Sequence, residues 1–444
     1  MHQKIVFTME ELLHYVWKHK IFPLHAMTTV DGRLVEVIDP GLHNHGSGPD
    51  FFNAKVRIGG QLWIGNVEIH VRASDWFRHH HHIDQAYKNV VLHVVAQSDA
   101  DIPLPGSSSQ LIPQMVLSIP DNVRHNYSSL STNDFYPRCR DVVRTSPHLT
   151  IHSWLSALQV ERLEDRSISI KERWERLNRN WDDTLFVTIA RNFGFGKNGD
   201  AFERWACSFS LISIGKHRDS LLQVEAMFFG QAGLLEEERP ELDDYYSRLR
   251  SEYNFLRHKF GLSPISPSLW TWKVRPENFP EIRLAQLAHL YHSGGLSLSR
   301  LLNASDLDQI SNLFSTCASG YWRTHYNFKG NKSSMAADKA LSKSSLDLVV
   351  INSVVPFLFT YGRYKGEDSL CDRAFDLMES MKPEKNSYIT KWESAGVTCH
   401  SAADSQALMQ LSKNYCEKHN CLRCRFGYEY IKRTPNFLAE DEGK

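Results

Sequence analysis

Apolar residues alternate with a period of two through much of the first 120 positions and recur every three to four residues through most of the remainder. The stretch "TMEELLHYVWKHKIF" (8–22) departs from the early pattern. Its Leu12, Leu13, Val16 and Trp17 form one stripe, Thr8 can accept from the first backbone amides, and Glu11 holds the capping-box position, so a helix is expected. Strands are expected at 33–39, 51–58, 61–71, 89–95 and 114–119, each short, rich in β-formers and bounded by Gly, Pro, Ser or Asp. Gly59-Gly60 joins two of them as a two-residue hairpin turn. "ASDWFRHHHHIDQAY" reads as a short helix or an ordered loop. Beyond about residue 125 helical spacing takes over, first in "HLTIHSWLSALQVERLEDRSISIKERWERLN". It continues near 182–193, 200–213, 217–229, 242–258, 279–292, 297–302, 344–360, 368–381 and 403–415. The expected class is α+β: a small mixed-sheet module over 1–125, then a large, mainly α-helical region over 126–444.

Composition adds limits rather than a class. The 444 residues exceed one ordinary core and fit two or three units of about 150. Lys+Arg and Asp+Glu both number 51, so any affinity for DNA or RNA must come from local patches. The opening segment has no signal-peptide pattern, and no stretch reads as the roughly 18 apolar residues of a membrane span, so a cytoplasmic protein is expected. Eight irregularly spaced cysteines fit thiols or metal ligands better than a secreted disulfide framework.

The candidate chemistry begins in "GPDFFNAKVRIGGQLWIGNVEIH" (48–70). The turn at Gly59-Gly60 folds Asp50 back toward Glu68, and strand alternation sets His70 on the same face as Glu68. A hard divalent cation needs such oxygen ligands, and the Ile69 carbonyl offers another. The bland alternative is that Glu68 and His70 only line the solvent face of the hairpin.

Pro49-Asp50 followed by Glu68-Ile69-His70 resembles the signature of the PD-(D/E)XK phosphodiesterase superfamily, with His70 in the lysine position. The order of helix, strands, helix or loop, and strand over 8–120 is similar to that core. The resemblance implies that Asp50, Glu68 and the Ile69 carbonyl hold Mg²⁺ or Mn²⁺ while His70 orients or deprotonates the attacking water, with DNA or RNA as substrate. An unperturbed imidazole titrates near pH ~6.5, so cleavage would fall as His70 protonates. The lost lysine equally fits a non-enzymatic nucleic-acid-binding or scaffold protein. Over nearly its whole length the chain also resembles a bacterial family known only as a domain of unknown function, through "EVIDPGLHNHGSGPDFFNAKV", "GNVEIHVRASDW", "AYKNVVLHVV", "RNFGFG", "RPENFPEIRLAQLA" and "SQALMQLSKNYCEKHNCLRC".

His43 and His45 precede Asp50 in a Gly-rich approach. Asp75, Trp76, His79, His81, His82 and Asp84 follow the third motif, where a histidine such as His79 or His82 could touch phosphate and Trp76 could stack on a base; a solvated His-rich turn with Trp76 in the core fits equally. His93 reads as a buried hydrogen-bonding residue. "RNFGFGKNGD" reads as a turn between helices, and Arg275 and Arg283 as partners of acids or of a polyanion. Cys416, Cys421 and Cys424 form a C-x₄-C-x₂-C cluster suited to zinc or to most of an iron–sulfur site, the fourth ligand being Cys139, Cys399, His400 or His419, with free thiols on a helix end as the alternative. Some nucleases of the resembled superfamily carry an iron–sulfur staple built from one upstream cysteine and a C-terminal trio, which Cys139 would complete here. Cys207, Cys317 and Cys371 are expected to be small buried hydrophobes.

Overall fold

The computed structural model describes residues 8–22, 27–44, 46–104, 110–132, 135–236, 244–294, 296–318, 320–330 and 335–433. The chain is α+β, with its strands near the N-terminus and helices over most of the remainder. It divides into two compact units, one of residues 1–151, 391–397 and 411–444 and one of 152–390 and 398–410. Residues 126–444 are therefore shared between both.

Helix α1 (Met9–Lys18) begins as its sequence dictates. Thr8 caps it in a full capping box with Glu11, and Leu12, Leu13, Val16 and Trp17 are all buried. The strands are β1 (Val35–Asp39), β2 (Leu42–His43), β3 (Phe51–Ile58), β4 (Gln61–Arg72), β5 (Val90–Gln97) and β6 (Gln114–Val116). They form one mixed sheet in the order β1-β3-β4-β5-β6, with β2 paired to β3. β1, β3 and β4 are antiparallel neighbours, whereas β5 and β6 run parallel. Gly59 and Gly60 both take positive φ (57° and 89°), as a tight hairpin turn with right-handed strand twist requires.

β4 is consequently an interior strand. From Val67 to His70 every residue is buried, because β3 and β5 flank it while α1 packs against it. Glu68 and His70 are therefore not on a solvent face; they are 4% and 1% exposed. α2 (Asp75–Arg78) and a 3₁₀ turn at Gln85–Asn89 connect β4 to β5, resolving the helix-or-loop alternative as both. The same unit holds α3 (Asp121–Thr132), α4 (Arg140–Thr145) and the helix Arg425–Lys432, which packs on α3 and α4. Asn126 Nδ2 donates to the Ile431 carbonyl at 3.1 Å, a contact across 305 residues of chain.

The second unit is helical, around a core that includes Phe186, Phe193, Trp205, Phe228, Tyr253 and Trp322. Residues 194–198 of "RNFGFGKNGD" form a turn between two helices there, as expected. Arg283 neither pairs with an acid nor faces solvent: it is 4% exposed, over the Phe195 ring and bonded to Gln286 and Asn278. One helical stretch, Lys343–Lys365, is apolar and long enough to cross a membrane, contrary to the reading of the sequence. Sixty-seven per cent of its apolar window is buried inside the protein, which makes it a core helix. Cys371 is buried, but Cys207 is exposed at the end of the Gly199–Ala206 helix, and Cys317 is half-buried.

Candidate metal centre

A bulge in β3 determines where Asp50 lies. Phe51 pairs with Val67, and the register then shifts before Ala54 pairs with Gly65, with Asn53 at φ 55°. The extra residue bends the start of the strand over β4. The Asp50 N–H then donates to Glu68 Oε2 at 3.0 Å, and the Ile69 N–H donates to Asp50 Oδ2 at 2.9 Å. Each carboxylate is thus fixed by backbone at the other's position. The loop before Asp50 is closed by Asn44, whose side-chain nitrogen donates to the carbonyls of Ser47 (3.0 Å) and Pro49 (3.1 Å). His45 lies outside the described residues; His43 stacks on Phe51 at 4.7 Å.

Imidazoles converge on the two acids. His14 Nε2 is 3.2 Å from Asp50 Oδ2, and His81 Nε2 is 3.1 Å from Glu68 Oε1. Both nitrogens are buried, and neither contact has hydrogen-bonding geometry. His70 Nε2 lies 3.4 Å from the same Glu68 oxygen and 3.2 Å from His79 Nδ1, while its Nδ1 meets His93 Nε2 at 2.9 Å. The ligand atoms of His70, His79 and His81 all lie within 4.8 Å of one another. Aromatic packing holds the rings: Tyr87 stacks on His81 at 3.8 Å, and Trp76 meets His81 and His93 edge-on.

These contacts shift protonation in opposite directions. Burial, reinforced by the Asp50 carboxylate, pushes Glu68 far above the ordinary carboxylate range. Burial and the neighbouring imidazoles of His93, His81 and His79 hold His70 far below the ordinary histidine value. For His14 burial acts downward, but the Asp50 carboxylate outweighs it and raises the pKa. Glu68, buried beside the Asp50 carboxylate, cannot stay ionised near neutral pH without added positive charge. A divalent cation would supply it, and the buried His14 and His81 nitrogens beside carboxylate oxygens fit its donor set. With imidazoles present, that set suits Mn²⁺, Zn²⁺ or Fe²⁺ better than an all-oxygen Mg²⁺ site would.

The structure thus brings Asp50, Glu68, Ile69, His70 and His79 together. It sets two expected residues elsewhere. Trp76 is 1% exposed within a cluster of Tyr87, Val90, Ile102 and Ile112, so its indole has no open face for a base. His82 is exposed and packs against Phe77. Two more residues reach this site without any sequence motif marking them: His14, and Glu10, whose pKa is raised mainly by burial and which has His14, Asp50 and His79 as electrostatic neighbours. Their spacing of four sets both on one helical face, the one cue available. His81, though noticed within "HHHH", is nearer the acids than His82.

A family model described as "Protein of unknown function (DUF2851)" matches residues 10–387. The chain belongs to this family. The match includes Glu10, His14, Asp50, Glu68 and the four-histidine run, and it ends before the cysteine trio at 416–424. No curated protein and no solved structure matches.

Proposed function

We propose that this chain is a cytoplasmic, metal-dependent phosphodiesterase acting on nucleic acid. The observation that carries the reading is the Asp50–Glu68 pair, locked by reciprocal backbone bonds and faced by the buried nitrogens of His14 and His81. Asp50, Glu68 and the Ile69 carbonyl would hold the cation, with His14 and His81 as further donors. When bound, the metal polarises the scissile phosphate and lowers the pKa of the attacking water.

His70 has a different role from the one the signature implies. At 1% exposure it is enclosed by His93, His79 and Glu68, and cannot itself meet bulk water. It instead orients His79, whose Nδ1 faces His70 and whose other nitrogen is left for substrate or solvent. His79 is exposed and is the residue we assign to proton transfer at the mouth of the site.

The test is cleavage of end-labelled single- and double-stranded DNA and RNA by metal-stripped protein resupplied with Mn²⁺. Wild type should cleave, and Asp50→Ala and Glu68→Ala should each lose at least about 100-fold. Undiminished cleavage by both variants would reject the assignment. One observation favours a second reading: the signature's lysine position holds a buried, fully engaged histidine. A non-enzymatic nucleic-acid-binding or scaffold protein would bind oligonucleotide equally with and without EDTA and never cleave it.

A further inference from the structure

The cysteine trio is remote in sequence from Cys139, yet all four belong to the unit that contains the sheet. Cys139 precedes α4 and Cys424 precedes the Arg425–Lys432 helix, each as the residue capping the helix start. The two helices pack together. Cys416 ends a π-helical turn, Leu411–Cys416, that adjoins the 3₁₀ turn Cys421–Arg423. Such wide turns are uncommon in helices and concentrate at functional sites.

The backbone here is too tight to be incidental. The Cys424 N–H donates to the Cys421 carbonyl at 3.2 Å, and a Cβ on Gly427 would lie 2.0 Å from that same oxygen. Only glycine allows the helix to follow the turn so closely. The Cys139 and Cys424 residues are 7% and 6% exposed, and the eight cysteines are thiols. Cys139 is near enough to Cys416, Cys421 and Cys424 for charge on one to oppose charge on another, and Cys416 is likewise near Cys421 and Cys424. The Arg138 guanidinium is hydrogen-bonded to His419.

We propose that Cys139, Cys416, Cys421 and Cys424 form a four-thiolate metal centre that fastens the C-terminal segment to α4. The site is independent of the Asp50–Glu68 centre and would stand if that reading failed. Without metal the four stay thiols; a doubly charged zinc ion or iron–sulfur core would offset two of the four negative charges left as their protons go to solvent. Cys139 completes the set. His419 is engaged with Arg138, and Cys399 and His400 belong to the other unit. Among the described residues no three of these sulfurs fall within 4.8 Å of one another. One zinc ion therefore requires the turn to draw inward, while a multi-iron cluster spans a wider separation.

Elemental analysis and a visible spectrum of full-length protein, purified anaerobically without added metal, test the proposal. About one zinc per chain in colourless protein supports it as a zinc site. About four irons per chain in brown protein supports it as an iron–sulfur site. In either case Cys139→Ser and Cys424→Ser should reduce metal at least about five-fold while Cys207→Ser retains it. If the first two variants fail to fold, wild type is alkylated before and after metal removal: four cysteines should become reactive only after removal. Neither metal at more than about a tenth of an equivalent, or alkylation of these four unchanged by stripping, would overturn it.

Discussion

Replacing Glu68 by Gln keeps the side chain's size and an acceptor for the Asp50 N–H at Glu68 Oε2 (3.0 Å in the wild type). The new amide group takes the place of Glu68 Oε1, which His70 Nε2 and His81 Nε2 approach at 3.4 and 3.1 Å. Only the ability to ionise is lost. Glu68 is raised from an ordinary 4.5 to well above neutral by burial and by Asp50. The unfolded chain therefore gives up this proton near pH 4.5, while the folded chain keeps it. Stability is full below pH 4.5 and is lost as pH rises toward the folded value. At pH 7 the gap is 2.5 units, and at about 1.4 kcal/mol per unit the wild type forgoes roughly 3 kcal/mol. Glutamine does not forgo it. Metal-free Glu68→Gln should exceed wild type by about 2–3 kcal/mol at pH 7, roughly 4–12 °C in Tm for a unit of this size, and match it near pH 4.5. Mn²⁺ should reverse the order. At a thousandfold excess over Kd it adds about 4.1 kcal/mol to wild type and nothing to the variant. Thermal melts from pH 4.5 to 8, with and without Mn²⁺, measure both effects. A variant that is less stable than wild type at pH 7, or whose offset is the same at both pH values, would refute the reasoning.

The remaining predictions use other parts of the molecule. His70 is neutral through the physiological range because burial and its imidazole neighbours lower its pKa, so cleavage should show no protonation step near pH 6.5 that disappears in His70→Gln. A wild-type rate falling tenfold between pH 7.5 and 5.5, with a flat profile in the variant, would contradict this. Glu281 is pushed up to about 7 by burial and accepts from Trp272 Nε1 at 2.9 Å. Since its folded pKa is raised, Glu281→Gln should gain stability between pH 4.5 and 7, to about 3 kcal/mol, and urea unfolding at pH 5 and 8 would reveal the difference. Gly427→Ala should cost more than about 2 kcal/mol because its Cβ would meet the Cys421 carbonyl, and an unchanged Tm would rule out the tight turn. Trp392→Phe, which loses the bond from Nε1 to Ser412 Oγ at 2.8 Å, should cost about 1–2 kcal/mol in the same assay.

Local patterns revealed what local patterns can. The capping box at Thr8, the hairpin at Gly59-Gly60 and the strand period between Asp50 and Glu68 lie within short stretches of chain, and each element formed where expected. Burial of β4 on both faces was not legible, because it depends on the parallel partner β5 and on α1. His14 joins the acids through tertiary packing alone. Trp76 looked available because its neighbours are polar, but its own turn folds inward beside Tyr87. Helix α3, "DNVRHNYSSLST", has too few apolar residues to show a stripe, and its partner Ile431 lies 305 positions away. The two-unit division is hidden for the same reason: the C-terminal segment returns to the sheet-bearing unit after the helical one is complete.

The proposed function depends on a cation held between Asp50 and Glu68. Anomalous diffraction from crystals soaked in Mn²⁺, collected at the manganese edge, tests it most directly. A peak roughly 2.0–2.4 Å from carboxylate oxygens of both residues, with His14 or His81 beside it, is the predicted result. Strong manganese peaks elsewhere, with none at these two acids, would contradict it.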